Sequence, residues 1–226
     1  MGAVPRQLAL ALHHAESFAR EDFLSGPSNA AALALVDSWP QWPHHAVVLT
    51  GPEGSGKSHL AAVWAQAAGA RLVAARALEP GTVPQALATG AVVVEDLAEG
   101  ELDERALFHL LNLAGEEGAF VLLTARSSPA LWNFAIRDLG SRLKVLPVVA
   151  LAAPDAALLR AVLVKLFADR QLAVDENLVG YLALRIERSF AAARRAVAQL
   201  DDEALRNHRP LTRALAAEVL RPSPSE

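Results

Sequence analysis

The run Ala46-Val47-Val48-Leu49-Thr50-Gly51-Pro52-Glu53-Gly54-Ser55-Gly56-Lys57-Ser58-His59-Leu60 constrains this chain more than any other stretch. It predicts a buried strand, a glycine-rich turn and the start of a helix. Gly51, Gly56, Lys57 and Ser58 fit the phosphate-loop pattern G-x-x-x-x-G-K-[ST], with Pro52, Glu53, Gly54 and Ser55 filling the turn and His59 continuing the helix. A triphosphate laid against bare backbone N–H groups excludes Cβ atoms at the tight points. The helix behind it offers unpaired N–H groups and the positive end of its dipole. Lys57 can bridge the outer phosphates and Ser58 can hold Mg²⁺.

The rest of the chain predicts the frame around that loop. Hydrophobic residues make up 53% of 226 residues, much of it alanine and leucine, which favours a helix-rich folded protein over disorder. Ahead of the loop, Phe18–Asn29 is turn-rich, and Ser28 or Asn29 can cap a helix over Ala30–Ser38. After it come a helix ending near Gly69, a short strand Arg71–Ala75 and a proline-punctuated turn with a short helix, Pro80–Thr89. Ala91-Val92-Val93-Val94 then runs into Glu95 and Asp96, as suits a central parallel strand buried on both faces. The C-terminal end of such a strand is where an α/β sheet places its ligand chemistry. Glu95 and Asp96 there can order Mg²⁺ and position a water, or can be two solvated acids. An amphipathic helix over Asp103–Ala114 leads to a further strand, Ala119–Thr124. Thr124 at its tip, with Arg126 just beyond, can touch a γ-phosphate or the attacking water, or can cap a turn. Pro129–Phe134 reads as a helical turn. Leu139–Leu143 leads into a last strand, Val145–Val149, with Arg137 and Arg142 just before it. Each arginine can face a neighbour's nucleotide or simply solvent.

From about Pro154 the strand signals stop. Helical periodicity covers Asp155–Gln171, Asp175–Ile186, Phe190–Leu205 and Thr212–Leu220. The expected division is an N-terminal segment 1–17, an α/β subdomain 18–152, an all-α subdomain 153–220 and a disordered tail 221–226.

Net charge and composition set further expectations. A net charge of −4 does not suit a duplex-binding surface, so no sequence-specific DNA binding is expected of the chain itself. The absence of cysteine excludes disulfides and thiolate metal sites and fits a reducing cytoplasm. No apolar run approaches the roughly 20 residues that span a bilayer, and the N-terminus lacks a leader pattern, so a cytoplasmic protein with no membrane partner is expected. The tandem pairs His13-His14 and His44-His45 point their side chains apart and read as surface rather than metal ligands. The segment Gln7-Leu8-Ala9-Leu10-Ala11-Leu12 reads either as a terminus packed on its own domain or as a short motif whose Gln7, Leu8, Leu10 and Leu12 enter a partner's pocket.

Strands alternating with helices, a phosphate loop, a hydrophobic strand ending in acids and a helical subdomain together resemble the AAA+ ATPases. The resemblance implies an α/β P-loop module with a five-stranded parallel sheet flanked by helices, plus a small all-α lid. It narrows at Gly26-Pro27-Ser28-Asn29, which looks like the adenine-side segment of the replication initiator DnaA. The match lacks the initiator's N-terminal assembly domain and its C-terminal DNA-reading helices. A DnaA-like core without a DNA reader is similar to the Hda-type regulators that inactivate the initiator, and Gln7–Leu12 resembles the motif by which they bind the polymerase sliding clamp. Ala11 departs from that motif, where proline is common.

The resemblance implies these roles: Gly51–Ser58 as Walker A, Glu95-Asp96 as Walker B, Thr124 as sensor 1 and Arg142 as an arginine finger acting in trans. It implies ADP or ATP with Mg²⁺ as ligands, Ser58 and Glu95 as the Mg²⁺ side, and DnaA and the clamp as partners, with homo-oligomers also open. Two positions depart from the pattern. Glu95 stands where Walker B has Asp, with Asp96 where Glu is usual, and Ala191 stands where sensor 2 has arginine, with Arg188, Arg194 and Arg195 out of register. The second departure implies weak or absent ATPase activity of its own. The functions this leaves are a clamp-bound stimulator of initiator ATP hydrolysis, a stand-alone ATPase or helicase loader, and a non-catalytic adaptor at the origin.

Overall fold

The computed structural model describes residues 19–220; Gln7, Leu8, Leu10, Leu12 and the histidines 13 and 14 lie outside the described residues, as does the tail from Arg221. The chain divides into two compact units, one ending at Asp155 and one running on from Ala156.

The first unit is built on five parallel strands: β1 (Ala46–Thr50), β2 (Arg71–Ala74), β3 (Ala91–Leu97), β4 (Phe120–Ala125) and β5 (Val148–Ala150), in the order β2-β3-β4-β1-β5. The apolar runs in β1, β3 and β4 have the composition of strands buried on both faces, and that is where they lie. Alternation sorts their side chains into two cores. Val48, Val92, Val94, Val121 and Leu123 pack on one face beneath α3 (Val83–Leu87), α4 (Glu104–Glu117) and α5 (Arg137–Val145). Val47, Leu49, Val93 and Leu122 pack on the other beneath α1 (Ala30–Asp37) and α2 (Lys57–Ala68).

Trp64 of α2 is fully buried and stacks on Trp42 at 4.8 Å, while the Trp42 indole N–H donates to the carbonyl of Leu35. The Trp-Pro stretch that breaks the sequence pattern is therefore a packed aromatic corner between α1 and β1. Beside it, His44 Nδ1 accepts from the Ala46 N–H and the His45 ring lies on Phe120 at 5.1 Å.

One expectation is corrected. Arg137–Val145 is a helix, and the last strand is shorter and later than the sequence reading, at Val148–Ala150. Leu139, Leu143 and Leu146 recur at helical spacing and are all buried, so the apolar stripe pays off only in a helix, which ends before Pro147. Arg142 accordingly projects from the last turn of α5 rather than from the approach to a strand.

The second unit consists of α6 (Ala156–Asp169), α7 (Glu176–Arg185), α8 (Phe190–Asn207) and α9 (Arg213–Val219). They close on Leu159, Leu163, Phe167, Leu178, Leu182, Val197, Leu200 and Leu215. Asp175, Ser189 and Thr212 cap the last three helices by accepting backbone N–H bonds. Ala191 lies half-buried in the first turn of α8. No described helix is long and apolar enough to cross a membrane.

Candidate nucleotide site

The loop between β1 and α2 turns on glycines with positive φ: 151° at Gly51, 71° at Gly54 and 97° at Gly56. A Cβ on Gly51 would run into the carbonyl oxygen of Leu151, just past β5, so the neighbouring strand enforces glycine there. Gly56 caps α2 without a side chain, and no acidic residue sits in the first turn of that helix. The first N–H groups of α2 therefore lack intrahelical acceptors, and nothing local competes with an anion for them. Ser55 Oγ is buried without a hydrogen-bond partner.

Lys57 is buried in the loop it follows. Its ammonium donates to the carbonyls of Gly51 and Pro52, 2.8 Å each. Burial pushes its pKa below the usual lysine range, and the charge of Asp96 partly offsets that. A buried cation held by neutral carbonyls is matched to an incoming anion.

The acids at the end of β3 lie opposite Thr124. Register between β3 and β4 shifts after Val94 and resumes at Leu97, leaving Glu95 and Asp96 in a bulge. Asp96 takes φ 57° and its N–H donates to Thr124 Oγ1 at 3.0 Å. Thr124, 0% exposed, thus holds the bulge rather than a helix or turn cap. The half-buried Glu95 has its pKa pushed up, first by burial, and held down in part by a hydrogen bond with Ser58. Its Oε1 is buried without a hydrogen-bond partner. Ser58 and Glu95 are thus brought together, with carboxylate capacity to spare, and their oxygen donors fit Mg²⁺. The outer carboxylate is Asp96, which is exposed. Together with the glycine cradle and the buried Ser55 hydroxyl, these residues fit a Mg²⁺-bound polyphosphate.

Gly26-Pro27-Ser28-Asn29 is fastened to the same end of the sheet. The Ser28 carbonyl accepts from the Ala152 N–H at 2.9 Å. Of Ser28 and Asn29, the two candidate caps, Asn29, 1% exposed, stands at the N-cap position of α1, but its side chain turns back: Oδ1 accepts from the Gly26 N–H and Nδ2 donates to the Leu24 carbonyl. It therefore braces the segment that precedes α1. Phe23, just ahead, meets the ring of His59 edge-on at 5.3 Å, tying this segment to α2.

The sequence reading names Arg126 and Arg142 but neither of their contacts. Arg126 donates to Glu53 of the loop at 2.9 Å, and the partners lie 73 residues apart, which no local pattern signals. Arg142 lies apart from these residues on α5, exposed, with its guanidinium carbon 5.6 Å from the centre of the Phe108 ring. Among the described residues no carboxylate pairs with it.

The parallel sheet with its strand-loop-helix cradle, together with the helical unit, has the fold of P-loop AAA+ domains. Comparison with known proteins bears this out. Domain III of the replication initiation protein DnaA from Thermotoga maritima superposes with a TM-score of 0.73, at 18% identity over 90% of this chain and 95% of that one. The Thermotoga maritima RuvB Holliday junction branch migration motor gives 0.72, at 14% identity over 90% and 71%. A replication initiator DnaA bound to AMPPCP and single-stranded DNA gives 0.64, at 17% identity over 83% and 67%. In sequence, the chromosomal replication initiator protein DnaA of Thermomicrobium roseum is 26% identical over 89% of this chain. The chain is similar to DnaA in sequence and in fold, and it spans about half, 49%, of the length of that curated relative. No family model matches it.

Proposed function

We propose that the chain is a DnaA-like regulator of chromosomal replication initiation that promotes hydrolysis of ATP held by the initiator. In this reading the cradle Gly51–His59 holds ADP or ATP, Ser58 and Glu95 hold Mg²⁺, Asp96 and Thr124 order the water side, and Gly26–Asn29 borders the adenine. These groups bind and orient the chain's own nucleotide. Gln7, Leu8, Leu10 and Leu12 engage the sliding clamp, which brings the protein to DNA, in the cytoplasm.

The observation that carries the reading is Arg142: an exposed guanidinium resting on Phe108, with no carboxylate partner among the described residues. A cation so placed is available to a second molecule. Supplied in trans, a guanidinium neutralises charge that develops on a transferring phosphoryl group, an effect worth about 10³–10⁵-fold in other systems. The test is initiator ATP hydrolysis in the presence of DNA-loaded clamp, with wild-type protein and Arg142→Ala. Acceleration by the wild type alone supports the reading. Equal rates with both, or no acceleration by either, sink it. The clamp half fails if Gln7→Ala with Leu8→Ala still binds clamp in a pull-down.

A second reading, turnover by this chain itself, draws support from the Ser58–Glu95 pair and the Thr124–Asp96 bond standing together beside Lys57. Steady-state ATPase activity abolished by Lys57→Ala would favour it over the first.

A further inference from the structure

The pair Arg126–Glu53 spans the mouth of the phosphate loop: Glu53 belongs to the cradle, while Arg126 has no part in the roles proposed above. Backbone geometry puts it there. β4 lies between β3 and β1, Thr50 pairs with Ala125, and the Gly51 N–H donates to the Ala125 carbonyl at 3.2 Å. Arg126 therefore leaves the sheet beside the first residue of the loop. It reaches Glu53 at 2.9 Å, and both side chains are 75% exposed. Among the described residues neither makes any other hydrogen bond or ion pair.

An exposed single pair of this kind holds weakly and is screened by salt. A polyphosphate offers a guanidinium more negative charge and a bidentate geometry that one carboxylate shares only in part. The charge of Arg126 already acts on Lys57, helping to push the lysine's pKa down, while Glu53 acts the other way. Two cations that repel each other across the loop gain a common counterion when phosphate enters between them.

We infer that Arg126 is a phosphate-sensing cation acting in cis, which leaves Glu53 for the terminal phosphate of a nucleoside triphosphate and makes the site favour triphosphate over diphosphate. The inference rests on nucleotide binding at the P-loop, not on the clamp or on Arg142.

The experiment is equilibrium binding of ADP and of the non-hydrolysable AMPPCP, with Mg²⁺, to the full chain as wild type, Arg126→Ala, Arg126→Lys and Glu53→Gln. Arg126→Ala is expected to weaken AMPPCP by about tenfold and ADP by less than about twofold, the loss of one charge-assisted contact made only to the outer phosphate. Arg126→Lys keeps the charge without the fork and recovers part of the loss. Glu53→Gln frees Arg126 and tightens AMPPCP selectively. If Arg126→Ala moves both ligands equally, or neither, Arg126 is a surface ion pair and the inference falls while nucleotide binding stands. If the wild type binds neither ligand, the inference and the nucleotide reading fall together. Should Arg126→Ala not fold, Glu53→Gln decides, and an unchanged AMPPCP affinity there overturns the inference.

Discussion

The backbone N–H of Asp96 donates to Thr124 Oγ1 at 3.0 Å, and this bond anchors an aspartate held at φ 57° in the bulge that ends β3. Left-handed backbone is tolerated by aspartate but disfavoured, and it persists where the surroundings over-determine it. Thr124 supplies that constraint from the adjacent strand. Thr124→Val keeps the shape and removes the acceptor. The expected cost is about 1–3 kcal/mol in chemical denaturation, the penalty for stranding a partly buried donor. Thr124→Ser should retain most of the stability, and equal losses in the two variants would refute the assignment.

Glu95 couples the site to pH. Burial raises its pKa above the ordinary 4.5, so the ligand-free folded state disfavours the ionised form more than the unfolded chain does. Such a group stabilises the fold below the ordinary carboxylate pKa, and that contribution is lost as pH rises through the raised value. Glu95→Gln is therefore expected to make the nucleotide-free protein more stable than wild type at pH 7, with the difference shrinking as pH falls toward 4.5. Denaturant titrations across that interval check it. The same variant should lose any stabilisation that depends on Mg²⁺.

Neighbours on α5 should behave in opposite ways. Leu143 is 1% exposed, whereas Arg142 touches Phe108 from outside. Leu143→Ala is expected to cost about 2–5 kcal/mol through the cavity it leaves. Arg142→Ala should cost no more than about 0.5–1 kcal/mol, the worth of an exposed cation–π contact. Thermal and denaturant unfolding of the two variants separate these outcomes. A stable Arg142→Ala protein is also what makes the hydrolysis assay interpretable.

Lys57→Ala should separate binding from folding. Its ammonium satisfies only loop carbonyls in this structure. With nucleotide at 100 times its dissociation constant the wild type gains about 2.7 kcal/mol of stability by mass action. The variant is expected to show little or no such rise in melting temperature at the same nucleotide concentration. A full shift in the variant would remove Lys57 from the site.

Much of this was legible in the chain itself, for identifiable reasons. β1, β3 and β4 are short apolar runs bounded by glycine, acids or threonine, and burial on both faces leaves no other pattern to compete. The loop was legible because its glycine spacing is a backbone requirement that local sequence records. The bounds of the last strand are not legible, because Val145 precedes the valines of β5 closely enough to read as one β-branched run; only the burial of Leu139, Leu143 and Leu146 on one core places Val145 in the helix. The bulge at Glu95 and Asp96 depends on the partner strand, and the inward turn of the Asn29 amide depends on free backbone groups at Leu24 and Gly26. Local sequence carries neither.

The bond from the Ala152 N–H to the Ser28 carbonyl has a consequence for engineering. It places the entry to α1 and the exit from β5 side by side, near the two ends of this α/β unit. Compact units whose ends meet accept circular permutation and grafting into other chains. A linker would join the two ends, and new termini opened in the exposed turn around Gly100 would leave the loop, the bulge and α2 uncut.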